Sequence, residues 1–230
     1  MEEVLLHMLT ISPAAKELFP DLKIGLLLIN NIKNEYLNDK MANAKDSLIK
    51  DLKQRYGALS RKDLIKTEVL QGYYSYYKSF IKTYHVLLQL ESVIYKEKGI
   101  PLVSPVVQSM FMTELKNHFL TSVHDYSKIV EPLYLDRTLG GELFRLFNGE
   151  QKSLKKDDLY IRDTKDIISN VLNGMDERTK VTSDTHIAMY NVYVPFSIDD
   201  QKILSHLDDM VNYLKLNDEN IIIEERSIYQ

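Results

Sequence analysis

The spacing of apolar residues changes along the chain. Up to about residue 120 they recur at three- and four-residue steps; from about 121 to 195 they fall in short runs broken by Gly, Asn and Asp. That switch predicts helices in the front half and strands behind them. "ISPAAKELFP" begins with Ser12 as an N-cap and Pro13 in the first helical position, and Pro20 ends it, so a short helix is expected. "DLKIGLLLINNI" is a continuous apolar run of strand length, the pattern of a strand covered on both faces. Leu37, Met41, Ala44, Leu48, Leu52 and Tyr56 share one helical face, and Gly57 supplies a stop. "SRKD" at 60–63 is a capping pattern. It opens a second helix with Ile65, Val69, Tyr73, Tyr77, Phe80 and Tyr84 on one stripe. "VLLQLESVIYKEKG" stays in helical period and closes on Gly99, and Ser104–Pro105 start another helix.

Behind these, "EPLYL", "LFRLFN", "DLYIRD", "DIISNVL", "RTKVT" and "HIAMYNVYVP" read as strands, with turns at "NGE" and "NGMD". A last helix follows, with Ser197 and Asp200 as its capping pattern and Ile203, Leu207, Met210 and Leu214 as its face. "IIIEERSI" is a final strand. No internal repeat or low-complexity segment interrupts this plan. The expected class is α+β: helices inserted near the front, then a mixed β core with a covering helix.

Composition narrows the function classes. The 230 residues are 44% hydrophobic and 27% charged, with a formal net charge of −4. A pI of about 5.9 argues against strong non-specific nucleic-acid binding, for which a basic domain is the expected footprint, though not against one local basic face; no DNA partner is expected. With no cysteine, a disulfide framework, a thiolate metal site and a Cys nucleophile are excluded. "MEEVLLHML" opens on two glutamates rather than a basic leader, and no apolar run reaches the ~18–20 residues that span a bilayer. A cytoplasmic protein without a membrane partner is expected.

The six histidines, His7, His85, His118, His124, His186 and His206, form no HExxH pair or other short zinc spacing. Glycine-rich phosphate loops and a Gly-x-Ser-x-Gly elbow are absent from the sequence. No metal or cofactor is expected. The cluster "YYSYYKSF" at 73–80 offers aromatic faces for base stacking, but its stripe has core spacing, which leaves Tyr74 and Lys78 beside it for a ligand. His124 and Asp125 are sequence neighbours. On a strand they point to opposite faces; on a turn, Asp125 caps backbone N–H groups. In "NGMDERTKVTSDT" at 173–185, Arg178 and Lys180 suit a phosphate or carboxylate, and a solvated hairpin rim is the alternative. The residues alone indicate a polar cleft near 121–128 and 174–185.

Four stretches, in order, resemble the B3/B4 domain, the tRNA-binding and editing domain of the phenylalanyl-tRNA synthetase beta chain. In "LFNGEQKSLKKDDLYIRD" (146–163), Asn148–Gly149, Leu154, Asp158, Leu159, Ile161 and Asp163 stand at matching steps. In "IPLVSPVVQSMFMTELKNHFLTSVHDYSKI" (100–129), Asp125, Lys128 and Ile129 fall on the family's Asp, Lys and Leu. "NGMDERTKVTSDT" is similar to its glycine-rich turn, with Val181, Thr182 and Thr185 in step, and "LFPDLKIGLLLINNI" to the opening strand of free-standing members. The likeness spans roughly 18–195; the helices between about 35 and 98 are this chain's own.

The resemblance implies one domain over 1–230 with a helical insertion at about 35–98, and a mixed β-barrel-like core. It implies tRNA or aminoacyl-tRNA as partner and, as function, an editing factor that hydrolyses the ester of a mischarged tRNA, without aminoacylation. His124 and Asp125 are the expected catalytic residues, and Thr121, Ser122, Gly174, Asp176, Arg178 and Thr179 the expected substrate-binding ones. The family's pocket histidine falls on Ser122, His124 takes an aromatic position, and Asp176 and Glu177 are the nearest acids of the turn. A non-catalytic module for an amino acid or RNA is therefore the alternative, and a small-molecule hydrolase the third reading. The sequence does not fix the oligomeric state.

Overall fold

The computed structural model describes residues 8–96 and 98–230. The opening Met1–His7, read as lacking a leader, lies outside them. In chain order the elements are β1 (Leu9–Ile11), α1 (Pro13–Leu18), β2 (Lys23–Asn30), α2 (Lys40–Tyr56), α3 (Arg61–Ile65), α4 (Glu68–Ser79), α5 (His85–Tyr95), α6 (Pro105–Asn117), β3 (Thr121–Asp125), β4 (Leu133–Arg137), β5 (Leu143–Arg145), β6 (Gln151–Ser153), β7 (Leu159–Arg162), β8 (Ile167–Asn170), β9 (Gly174–Met175), β10 (Ala188–Val194), α7 (Asp200–Asn217) and β11 (Ile222–Tyr229).

The α+β class is present, but the barrel is not. The strands form a five-stranded sheet ordered β1-β4-β7-β8-β9, a four-stranded sheet ordered β11-β2-β10-β3 and a separate β5–β6 hairpin, none of them closed. The four-stranded sheet is antiparallel throughout. In the five-stranded sheet only β1 and β4 run parallel. β10 is buried along its whole length, because helices cover one of its faces and the five-stranded sheet the other. Tyr190 points to the helices, where its hydroxyl meets Ser109 of α6 at 3.0 Å. Tyr193 points to the other sheet, where its hydroxyl meets Ser169 of β8 at 2.6 Å. Gly25 on β2 lets α7 approach closely: a Cβ there would come within 2.8 Å of Ile203.

Several boundaries differ from the sequence expectation. The tyrosine-bearing helix is cut in two at Lys66–Thr67, where the Thr67 hydroxyl donates to the Leu64 carbonyl at 2.8 Å; a threonine that bonds its own backbone competes with the helical ladder. Leu37 lies before α2, and α5 ends at Tyr95, short of Gly99. "RTKVT" forms no strand. Asp199, rather than Ser197, caps α7, accepting from the Gln201 amide at 2.8 Å. The tyrosine stripe is core: Tyr73, Tyr77 and Tyr84 are buried. Tyr74 and Lys78 engage each other, the ammonium 5.7 Å from the ring centre.

Candidate functional site

β3 and the turn after β9 meet although some fifty positions separate them. The Asp125 amide donates to the Thr179 carbonyl at 2.8 Å; β3 and β9 are edge strands of the two sheets and touch each other. Gly174 makes the β8–β9 turn possible: its φ of +85° is in the left-handed region, which residues with a Cβ adopt only under strain.

Alternation on β3 divides the expected residues between two faces. Ser122 and His124 point toward the five-stranded sheet and build a buried chain of hydrogen bonds. Thr179 donates its hydroxyl to Asp176, so its oxygen accepts from His124 Nδ1 at 2.7 Å. That fixes the tautomer and leaves Nε2 as an acceptor toward the Ser122 hydroxyl, 3.2 Å away. Asn191 donates to Ser122 Oγ at 2.8 Å. The Asn191 amide oxygen is buried and unpartnered. Burial pushes the His124 imidazole down to about 3, with the nearby Arg178 charge acting in the same direction, so the ring is neutral. Burial raises the Asp176 carboxyl, against hydrogen bonds from Thr179 and the Arg178 charge.

Thr121 and Asp125 project to the opposite face. The Thr121 hydroxyl meets His206 Nε2 at 2.8 Å, and its amide donates to Glu114 at 2.8 Å. The Asp125 carboxylate accepts from Ser127 Oγ at 2.6 Å and Thr185 Oγ1 at 3.0 Å and pairs with Lys128 at 3.0 Å. Burial alone would raise its carboxyl; those partners together hold it below the usual range. Arg178 clamps loops: it donates to the Lys128 carbonyl at 2.6 Å and to Asp163 at 2.9 Å. Thus Ser122, His124, Asp176 and Thr179 come together, while Thr121 and Asp125 belong to other networks.

Above the chain that starts at Ser122 lies a cleft of about 350 Å³ between the hairpin and the 174–178 turn. Leu143, Phe144, Arg145, Asp166, Ile167, Asp176, Glu177 and Arg178 line it. Asp176 belongs to both the cleft and the buried chain. Arg145 pairs with Glu177 at 2.7 Å. Sequence reasoning missed Arg145 and Asp166, which sit on strands and turns that read as scaffold. It also missed Ser169 and Asn191; their signal was a polar residue inside an otherwise apolar strand, where burial demands a partner. No group of His, Asp and Glu able to hold a metal occurs among the described residues.

No family model matches the chain, and no curated protein matches it. Among solved structures it is similar to an N-terminal fragment of the phenylalanyl-tRNA synthetase beta-subunit from Pyrococcus horikoshii, with 13% identity and a TM-score of 0.48. The match covers 94% of this chain and 54% of that one, so the chain spans about half the length of that structure. Among the described residues, no helix is long and apolar enough to cross a membrane.

Proposed function

We propose that this chain binds the acylated 3′ end of a tRNA in the cleft between the β5–β6 hairpin and the 174–178 turn. One observation carries the reading: the cleft sets carboxylates (Asp166, Asp176, Glu177) and a guanidinium (Arg145) around the apolar side chains of Leu143 and Ile167. An aminoacyl ester on a ribose terminus has the complementary features: an ammonium, a side chain and a neighbouring phosphate. The four ordered sequence stretches point to the same ligand. The helices at about 35–98 are then an insertion in a single domain over 1–230. A non-hydrolysable aminoacyl-adenosine amide is expected to bind, by calorimetry, and Asp176→Asn to weaken it about tenfold, the scale of one lost charge-assisted hydrogen bond. Failure of a panel of such amides to bind the folded protein overturns the reading.

A second reading, hydrolysis of the bound ester, is favoured by the buried chain. The fixed tautomer presents Nε2 as a base toward a hydroxyl, and activated esters need little more than a positioned water and an oxyanion donor. Full burial of His124 favours binding over turnover. Mischarged tRNAs deacylated faster than in buffer, with that rate lost in Ser122→Ala, would establish the second reading.

A further inference from the structure

The β5–β6 hairpin carries a surface that the rest of the fold does not explain. Leu139, Leu143 and Phe147 are 73%, 68% and 58% exposed within nine positions. Phe147 is the most exposed aromatic among the described residues. The same segment is basic in an acidic chain. Residues 139–156 hold Arg145, Lys152, Lys155 and Lys156 against Glu142 and Glu150. Glu142 is committed to the amides of Leu139 and Gly140, at 2.6 and 2.9 Å. Lys155 reaches the Phe80 carbonyl at 2.7 Å. Lys152 and Lys156 are exposed.

The platform is also preorganised. Phe144, Leu146 and Leu154 form a small core of their own beneath it. The Phe147 amide is fastened to the Met175 carbonyl at 3.2 Å, and Gly149, with φ +86°, closes the turn. Phe147 stands one residue from the bridge between Leu146 and Asp176, and Asp176 lines the cleft.

We infer that this hairpin is a single-strand nucleic-acid arm: an unpaired base stacks on the exposed ring of Phe147, and the phosphates of the strand meet the exposed ammonium groups of the same hairpin, Lys152 and Lys156. An exposed aromatic beside dispersed cations suits unpaired bases, whose flat faces stack while their phosphates meet ammonium groups. A duplex hides those faces. An acidic peptide would use the lysines but not the exposed ring. The placement of the strand's end rests on the cleft reading above; stacking on the arm does not.

The test is fluorescence anisotropy with a single-stranded RNA 12-mer ending in CCA, without an amino acid, against a duplex of the same sequence and an acidic peptide. The 12-mer is expected to bind better than either competitor. Phe147→Ala is expected to weaken it about 5- to 100-fold, from the loss of one stacked base, and Phe147→Trp to restore it. Lys152→Ala and Lys156→Ala are each expected to reduce the slope of log affinity against log salt by ~0.7. Equal binding of duplex, or of the acidic peptide, overturns the proposal, as does a 12-mer indifferent to Phe147→Ala. Each variant lies on the surface, and an unchanged melting temperature shows that it folds. If the 12-mer binds as described while the aminoacyl-adenosine amides do not, the arm stands and the cleft reading falls.

Discussion

The two faces of β3 carry nearly the same residue types. On one, Ser122 and His124 lead through Thr179 to Asp176, which lines the cleft. On the other, Thr121 leads to His206 and Glu114 beneath α6 and α7. A hydroxyl, an imidazole and a carboxyl thus occur on both sides. The first set uses both ring nitrogens of its histidine and leaves only the Asn191 amide oxygen buried without a partner, whereas the second leaves His206 Nδ1 so. Only the first reaches the surface. Candidate chemistry is therefore defined by connection to a cleft, not by the residue types themselves.

Replacing each imidazole by a branched alkyl group separates the two faces. His124→Leu removes two hydrogen bonds and strands the Ser122 hydroxyl donor and the Thr179 acceptor, so a loss of about 2–3 kcal/mol is expected in urea unfolding. His206→Leu removes one bond but also an orphaned nitrogen, and a net change within about 1 kcal/mol is expected. Equal losses would show that the contrast is not energetic.

The pH dependence of stability follows from the same groups. Desolvation lowers His85 and His118 to about 4 and His124 and His206 to about 3. Between those values and the ordinary 6.5, the unfolded chain binds protons that the folded one refuses. Stability from these rings is full above 6.5 and lost as pH falls. Burial raises Glu114 to about 8 and Asp158 to about 7. Their contribution is full below the ordinary carboxylate range and is lost as pH rises through 7 to 8. Four rings outweigh two carboxyls below 6.5, and only the carboxyls act above it. The melting temperature is thus expected to peak near pH 6.5. Glu114→Gln should flatten the fall on the alkaline side and steepen the rise between the ordinary carboxylate range and 6.5, where Glu114 opposes the rings. An unaltered alkaline fall would place the titration elsewhere.

Much of this was legible in advance, for identifiable reasons. Helix starts at Ser12, Ser60 and Ser104 and the continuous apolar run of β2 are local signals, and they appear where the sequence placed them. The polar residues of 121–128 and 174–185 marked both stretches, but their meeting at 121–125 and 174–179 took its support from the family resemblance, since no local rule links segments fifty residues apart. The division of Thr121 and Asp125 from Ser122 and His124 followed from strand alternation once β3 was known to be a strand. What stayed hidden was the open sheet arrangement and the hairpin's role in the cleft. Both depend on how Phe144, Leu146 and Leu154 pack beneath the hairpin, and three apolar residues carry no mark of their partner.

The smallest expected effect concerns Asp125, on the face away from the cleft. Ser127, Lys128 and Thr185 hold its carboxyl below the ordinary range, so its stabilisation is present at neutral pH and lost as pH falls through that lowered value. Asp125→Asn keeps the shape and the turn but gives up the Lys128 pair, which is partly solvated. A loss of about 1 kcal/mol or less is expected at pH 7, with a shallower acid limb in the melting profile. Affinity for the aminoacyl-adenosine amide is expected to be unchanged, whereas Asp176→Asn weakens it. If Asp125→Asn instead abolishes binding or turnover while melting normally, the two faces of β3 act as one site, and the division drawn from their hydrogen bonds is wrong.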